Sequence, residues 1–153
     1  MKVAKQFTWE AAHRLPWHAG SCKSLHGHSY KMTVEVEGEP DERGMLIDFK
    51  EIKRVLAPLI DDWDHATLVA DDDIDLRHAL EELGSRIALL PYDSTAENLC
   101  LYAAEYLVRE GGDTLRARRI QRVIVTVRET DTCYATHECP VPVSEKRGLF
   151  ARV

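Results

Sequence analysis

The sequence has 153 residues, of which 44% are hydrophobic and 30% are charged, and its formal net charge is −6 at pH 7. This length and composition are typical of one globular domain and exclude a disordered chain, and the absence of a basic block predicts no nucleic-acid partner. No apolar run approaches the ~18 residues that a membrane-spanning helix needs, so we expect no membrane association.

The first predicted elements are two strands. Residues 3–13 alternate between an apolar and a polar face, and residues 26–38 repeat the pattern more cleanly. Such a period of two is typical of half-buried strands. The apolar faces consist of Val3, Phe7, Trp9, Ala11 and His13 in the first strand and Tyr30, Met32, Val34 and Val36 in the second.

A helix is predicted after the second strand. Asp48 can cap its first turn with Glu51 in capping-box position, and Pro58 predicts a kink or an early end. Residues 66–93 follow, with an acidic stretch and a possible short helix around residues 76–83. We interpret residues 66–93 as an excursion on the surface of the domain.

The second long helix is predicted to start at Ser94, with Glu97 completing a capping box, and to stop at residues 111–112, which are both glycine. Residues 120–129 then form a strand, and the C-terminal tail at about 135–153 holds at most one short strand. The order of elements predicts one α+β domain over residues 1–153, with a four-stranded antiparallel sheet and two helices on one face.

Three histidines fall on the apolar strand faces. His26 and His28 are two residues apart, so they project from the same side of a strand, and His13 continues the apolar face of the first strand. If the two strands pair, the three imidazoles meet at one end of a buried surface. Three imidazoles leave a tetrahedral Zn²⁺ one open position, as in catalytic zinc sites. A single histidine would favour simple packing, but three on matching faces favour a metal.

The four cysteines are irregularly spaced and no signal peptide is visible at the N-terminus, so we expect reduced thiols and a cytoplasmic protein. Cys22 lies four residues before His26. It is either a fourth zinc ligand, which would make the site structural, or a thiol just beyond the metal, where positive charge favours the thiolate. The spacing does not separate these alternatives. Cys133 and Cys139 with His137 match no recognised ligand pattern.

Glu129 ends the apolar face of the last long strand, which carries Val123, Val125 and Val127. A buried carboxylate needs a partner. A ligand with adjacent ring N–H and amino donors would supply two parallel hydrogen bonds, and the alternatives are an arginine of the chain or a frayed strand end.

Together these residues resemble the 6-pyruvoyltetrahydropterin synthase and 6-carboxytetrahydropterin synthase family. The matching stretches occur in the family's order and are 7–15 (FTWEAAHRL), 22–30 (CKSLHGHSY), 45–53 (MLIDFKEIK), 63–68 (WDHATL), 94–99 (STAENL) and 125–130 (VTVRET). The segment between His65 and Ser94 is longer than in the family, and Trp63 replaces a more familiar aliphatic residue.

The resemblance implies a tunnelling fold whose subunits join into an oligomeric barrel, typically a hexamer, with active sites between subunits. The implied roles are zinc binding by His13, His26 and His28, general base for Cys22, proton transfer for Asp64 and His65, anchoring of a pterin ring by Glu129, and a position near the pterin for Ser94 and Thr95.

The implied substrate is 7,8-dihydroneopterin triphosphate. The three residues between Cys22 and His26 resemble the 6-carboxy branch, which releases acetaldehyde and triphosphate and serves queuosine (7-deazapurine) biosynthesis. The alternatives are the 6-pyruvoyl product from the same substrate, a zinc hydrolase, and a non-catalytic zinc-binding protein.

Overall fold

The computed structural model describes residues 1–143, which form one six-stranded sheet and three α-helices. The strands are β1 (Lys2–His13), β2 (His26–Gly38), β3 (Ala66–Ala70), β4 (Ile87–Leu90), β5 (Ile120–Arg128) and β6 (Tyr134–Pro140). The helices are α1 (Phe49–Trp63), α2 (Ile74–Glu82) and α3 (Ala96–Ala117), with a short 3-10 helix at Ser21–Lys23. The strand order is β4-β3-β1-β2-β5-β6.

The two strands predicted from alternation are confirmed as the central antiparallel pair β1 and β2. Trp9 lies opposite Tyr30 in this pair, and the two rings stack with centroids 5.1 Å apart. Both side chains are buried, because the apolar face of each strand lies against the helices. Trp63 at the end of α1 packs against Trp9, with ring centroids 5.4 Å apart.

Helices α1 and α3 cover the apolar face of the sheet and pack against each other. The expected early end of α1 at Pro58 is wrong, since α1 continues to Trp63. The expected stop of α3 at Gly111 is also wrong, since α3 continues to Ala117. A Cβ placed on Gly111 would lie 3.3 Å from a methyl carbon of Val55, so this glycine permits close approach of the two helices.

Side-chain caps define the starts of both long helices. The carboxylate of Asp48 accepts from the backbone N–H of Lys50, as predicted for α1. At α3 the cap is Thr95, whose hydroxyl accepts from the N–H of Asn98 at 3.2 Å. The predicted start at Ser94 is therefore wrong by one residue, and Ser94 is free to make other contacts.

The predicted four-stranded antiparallel sheet with two helices is wrong in detail, since the sheet has six strands and is mixed. β1, β2, β5 and β6 are antiparallel neighbours, but β3 and β4 extend the sheet in parallel beside β1. The surface excursion predicted at 66–93 is instead a strand–helix–strand unit, because α2 provides the crossover that parallel strands require. Its own small core consists of Val69, Leu76 and Leu80, with Ile87 packed against them.

The short strand predicted in the C-terminal tail is confirmed as β6, which pairs with β5 at the edge of the sheet. The remainder of the predicted tail, 144–153, lies outside the described residues. Within residues 1–143, no helix combines the length and the apolar composition needed to cross a membrane.

Candidate functional site

Three histidine side chains converge where β1 ends and β2 begins. His13, His26 and His28 each offer a ring nitrogen within 4.8 Å of the other two, and they are the one such group of possible metal ligands among residues 1–143. The ring centroids lie 4.6 Å apart for His13 and His26 and 4.9 Å apart for His26 and His28. The structure thus brings together the three residues predicted from strand parity.

The register of β1 and β2 explains this convergence. His13 lies directly opposite His26, and Ala11 lies opposite His28. Opposed residues of an antiparallel pair project from the same face. Gly27 faces the β1 backbone, and a Cβ added there would lie 3.2 Å from the carbonyl oxygen of Ala11. Glycine between the two ligands therefore allows close approach of the neighbouring strand.

Backbone carbonyls set the protonation of two of the rings. His13 Nδ1 lies 2.8 Å from the carbonyl oxygen of Ser94, and His26 Nδ1 lies 2.7 Å from that of Ser24. A carbonyl oxygen can only accept, so each Nδ1 carries the proton and donates it. Each neutral ring consequently keeps an unprotonated Nε2, which is the form that binds a metal.

The environment also favours the neutral form of His13 and His28. Burial lowers the pKa of His13 from 6.5 to about 4, and the charges of His26 and His28 act in the same direction against the opposing hydrogen bond to Ser94. Burial, followed by the charge of His26, also lowers the pKa of His28.

Nε2 of His13 is buried without a hydrogen-bond partner in the described part of the chain. Such an unpaired polar atom is costly, and a bound metal ion would satisfy it. The donor set of three neutral imidazoles fits Zn²⁺.

Glu129 stands beside the histidines as a half-buried carboxylate. Its Oε1 lies 4.0 Å from Nε2 of His13. Burial raises the pKa of Glu129, and the negative charge of Glu97 adds to the effect. Within residues 1–143 no arginine forms an ion pair with Glu129, so the arginine alternative has no support in the structure. The carboxylate remains available for a ligand.

Two open cavities meet at His28. One, of about 410 Å³, is lined by His28 and His65 among others. The other, of about 390 Å³, is lined by His28 and Glu129. Gly27, His28 and Ser29 border both cavities. His28 therefore borders open space on the side of His65 and on the side of Glu129, whereas His13 and His26 line neither cavity.

The side chains of Asp64 and His65 form a close pair just after the end of α1. Asp64 Oδ2 lies 3.0 Å from Nδ1 of His65, while Asp64 Oδ1 accepts from the backbone N–H of Glu10 at 2.9 Å. The N–H of Glu10 and the contact with His65 both lower the pKa of Asp64. His65 has a left-handed backbone (φ 57) and an exposed ring. Asp64 thus holds one nitrogen of His65 and leaves the other open to solvent.

Cys22 lies in the short 3-10 helix between the two ligand-bearing strands and is partly buried. Its carbonyl accepts from the N–H of Leu15, which ties the loop together. Its sulfur does not belong to the group of converging histidine nitrogens. Cys100 is buried and Cys133 is exposed.

Ser94 lies directly behind the ring of His13. It is 1% exposed, and its hydroxyl lies 3.2 Å from His13 Nδ1, in addition to the contact of its carbonyl. The pterin contacts expected of Ser94 and Thr95 stay predictions. The sequence did not indicate the support of His13 by Ser94 or that of His26 by Ser24, because a backbone carbonyl has no signature in the side chains.

The fold and the site define an α+β protein with three histidines poised to hold one metal ion. The chain belongs to the 6-pyruvoyl tetrahydropterin synthase family, whose model matches residues 2–140.

Curated relatives and a solved structure agree with this family. The 6-carboxy-5,6,7,8-tetrahydropterin synthase of Haemophilus influenzae is 33% identical over 66% of this chain and 77% of its own length. That of Rickettsia felis is 31% identical over 67% of this chain and 76% of its own. A catalytic-residue mutant of Plasmodium vivax 6-pyruvoyltetrahydropterin synthase shares the fold, with a TM-score of 0.76 at 20% identity over 92% of this chain and 98% of that one.

Proposed function

We propose that this protein is a zinc-dependent lyase that converts 7,8-dihydroneopterin triphosphate to 6-carboxy-5,6,7,8-tetrahydropterin, with uptake of water and release of acetaldehyde and triphosphate. The observation that carries the proposal is the convergence of His13, His26 and His28. Nε2 of His13 is buried there without a hydrogen-bond partner among residues 1–143. The names of the two bacterial relatives support the 6-carboxy product. The pathway that we propose is the synthesis of 7-deazapurines such as queuosine, in the cytoplasm.

Zn²⁺ would be held by the three histidines and would supply a Lewis acid that stabilises negative charge developing on substrate oxygens. The half-buried carboxylate of Glu129 would accept two hydrogen bonds from the ring N–H and amino group of the pterin. This contact orients the substrate side chain toward the histidines, because Glu129 lies 4.0 Å from His13.

Proton transfer falls to the remaining site residues. Cys22, as thiolate, would remove a proton from a side-chain carbon of the substrate. His65 would exchange protons through its open nitrogen, because Asp64 holds the other at 3.0 Å. The redox change is internal to the substrate, since tautomerisation moves the electrons, and the reaction needs no nicotinamide.

We also propose that the protein works as a homo-oligomer, a hexamer by family resemblance, with each active site completed by a neighbour. In the described chain, β3 pairs only with Ala11–His13 of β1, so most of the far edge of β1 lacks a strand neighbour. β6 forms an edge of the sheet as well. Open edges of this kind favour strand pairing between subunits. If light scattering showed that the active protein is a monomer, the proposal of a homo-oligomer would be contradicted.

The experiment is an assay of purified zinc-loaded protein with 7,8-dihydroneopterin triphosphate, followed by mass spectrometry of the products. We expect 6-carboxytetrahydropterin and acetaldehyde. Formation of 6-pyruvoyltetrahydropterin without acetaldehyde would favour the rival named by the family model. Loss of triphosphate by hydrolysis alone, unaffected by replacement of Cys22, would favour a zinc hydrolase. No turnover with tightly bound zinc would indicate a structural metal.

A further inference from the structure

We propose that the β3–α2–β4 unit, residues 66–90, is a clamp that positions His13 for metal binding, and that the ion pair between Arg14 and Asp73 holds the clamp closed. The inference rests on the zinc site proposed above. It assigns a positioning role to the segment whose length departs from the family pattern.

The clamp first holds the backbone of His13. β3 pairs in parallel with the last three residues of β1, and Leu68 lies opposite His13. His13 also pairs with His26 on its other side. The backbone of this ligand is therefore held between two strands, of which one belongs to the clamp.

The clamp also positions the contact behind the ring. Ser94 follows the end of β4 by four residues, and its carbonyl accepts from His13 Nδ1 at 2.8 Å. β4 pairs only with β3 in the described chain. Ser94 lies between β4 and Thr95, the N-cap of α3, so the orientation of the His13 ring depends on the register of β3 and β4 as well as on α3.

The ion pair joins this unit to the residue after the ligand. Arg14 Nε lies 2.8 Å from Oδ2 of Asp73, and an Nη lies 2.5 Å from Oδ1, which makes a two-point contact. The Asp73 side chain is only 6% exposed. Oδ1 of Asp73 also accepts from the backbone N–H of Leu76 in the first turn of α2. One buried carboxylate thus connects the start of α2 to the end of β1, and removal of one partner leaves a buried charge unpaired.

His26 and His28 make no such contacts, because β2 carries both and β2 pairs with β1 and β5. Opening of the clamp would therefore displace one ligand of three. A zinc site that depends on the position of His13 would lose affinity, although the other two histidines stay in place.

The test compares zinc affinity and stability in four proteins: wild type, Asp73→Asn, Arg14→Met and the control Glu81→Gln. Asn at 73 retains the helix cap and loses the charge. Glu81→Gln removes the exposed ion pair of Arg77 and Glu81 on the same helix without touching β1. Zinc affinity is measured by competition with a chromogenic chelator, and thermal unfolding is followed on the metal-free proteins.

We expect Asp73→Asn and Arg14→Met to weaken zinc binding by about tenfold, and Glu81→Gln to leave it unchanged within about twofold. Arg14→Lys keeps the positive charge but can contact Asp73 through only one nitrogen, so it should give an intermediate loss of zinc affinity. This variant replaces Asp73→Asn in the comparison if Asp73→Asn does not fold. Variants that melt earlier but bind zinc like wild type would overturn the clamp and leave the proposed function intact. If His13→Ala binds zinc as tightly as wild type, both the clamp and the proposed zinc site would be overturned.

Discussion

His13 donates its Nδ1 proton to the backbone carbonyl of Ser94 across 2.8 Å, over a sequence separation of 81 residues. This contact leaves Nε2 as the free nitrogen of a neutral, buried ring. An unprotonated Nε2 is the form of the ring that the proposed zinc site requires, and this arrangement has consequences that can be measured.

The metal-free protein should lose stability in mild acid because of His13. Its pKa is about 4 in the folded chain against an ordinary value of 6.5. A pKa lowered on folding gives a contribution that is fully present above the unfolded value and is lost as the pH falls toward the folded value. Between about pH 8 and about pH 5, this single group should cost about 2 kcal/mol.

Urea unfolding of metal-free wild type and His13→Asn at several pH values tests this expectation. The wild type should lose more stability than the variant over this range, because carboxylates contribute equally to both. Parallel pH profiles would show that His13 is not buried as a neutral ring.

Replacement of Cys22 by alanine should leave zinc bound, because its sulfur lies outside the histidine group. The same change should lower the turnover rate by about 100-fold or more, because it removes the proposed general base. His28→Ala should lose both zinc and activity. Zinc content by atomic absorption and product formation by mass spectrometry give the two readouts. Cys133→Ala, at an exposed thiol, is the matched control and should behave as wild type. If zinc is lost with Cys22, the thiol is a ligand and the site is structural.

The convergence of the three histidines was predictable because the pattern that forms β1 and β2 also places their side chains. Alternation puts His13 on the face of Trp9, and pairing of the strands brings it opposite His26. Strands with one buried face have a strongly specified register, so the parity argument extends from secondary structure to the group of three histidines.

The short helix predicted around residues 76–83 is confirmed as α2, but the strands β3 and β4 on either side of it were missed for a physical reason. β3 has five buried residues in a row and no alternation, and the acidic residues after it resemble a solvated loop. Parallel strands buried on both faces give such continuous apolar runs. Asp73 is buried, and its charge is paired with Arg14, which lies 59 residues away in the sequence. A contact between residues so far apart in the sequence leaves no local pattern that could predict it. The contact between Ser94 and His13 was missed for the same reason.

Glu129→Gln should raise the KM for the pterin substrate by about 10- to 100-fold, with a smaller effect on zinc binding. An amide can accept only one of the two donated hydrogen bonds without placing its own N–H against a donor. Steady-state kinetics with zinc-saturated protein measure the change. Glu97→Gln is the control: it removes a nearby charge that raises the pKa of Glu129 and leaves the carboxylate in place. An unchanged KM in Glu129→Gln would remove Glu129 from the pterin site.

Ser94→Ala separates support of the ligand from contact with the substrate. The substitution keeps the carbonyl that holds His13 and removes only the hydroxyl, which lies at the longer distance of 3.2 Å. We expect zinc affinity, measured by chelator competition, to change by less than about threefold. If the hydroxyl contacts the pterin as predicted, steady-state kinetics should show a raised KM. An unchanged KM would remove the Ser94 hydroxyl from the pterin site.

The measurement that tests the central claim most directly is X-ray absorption at the zinc edge of the protein loaded with one equivalent of metal. The structure predicts three imidazole nitrogens, from His13, His26 and His28, and one oxygen from solvent or substrate. A sulfur ligand, or a fourth ligand from the protein, would contradict an open catalytic site.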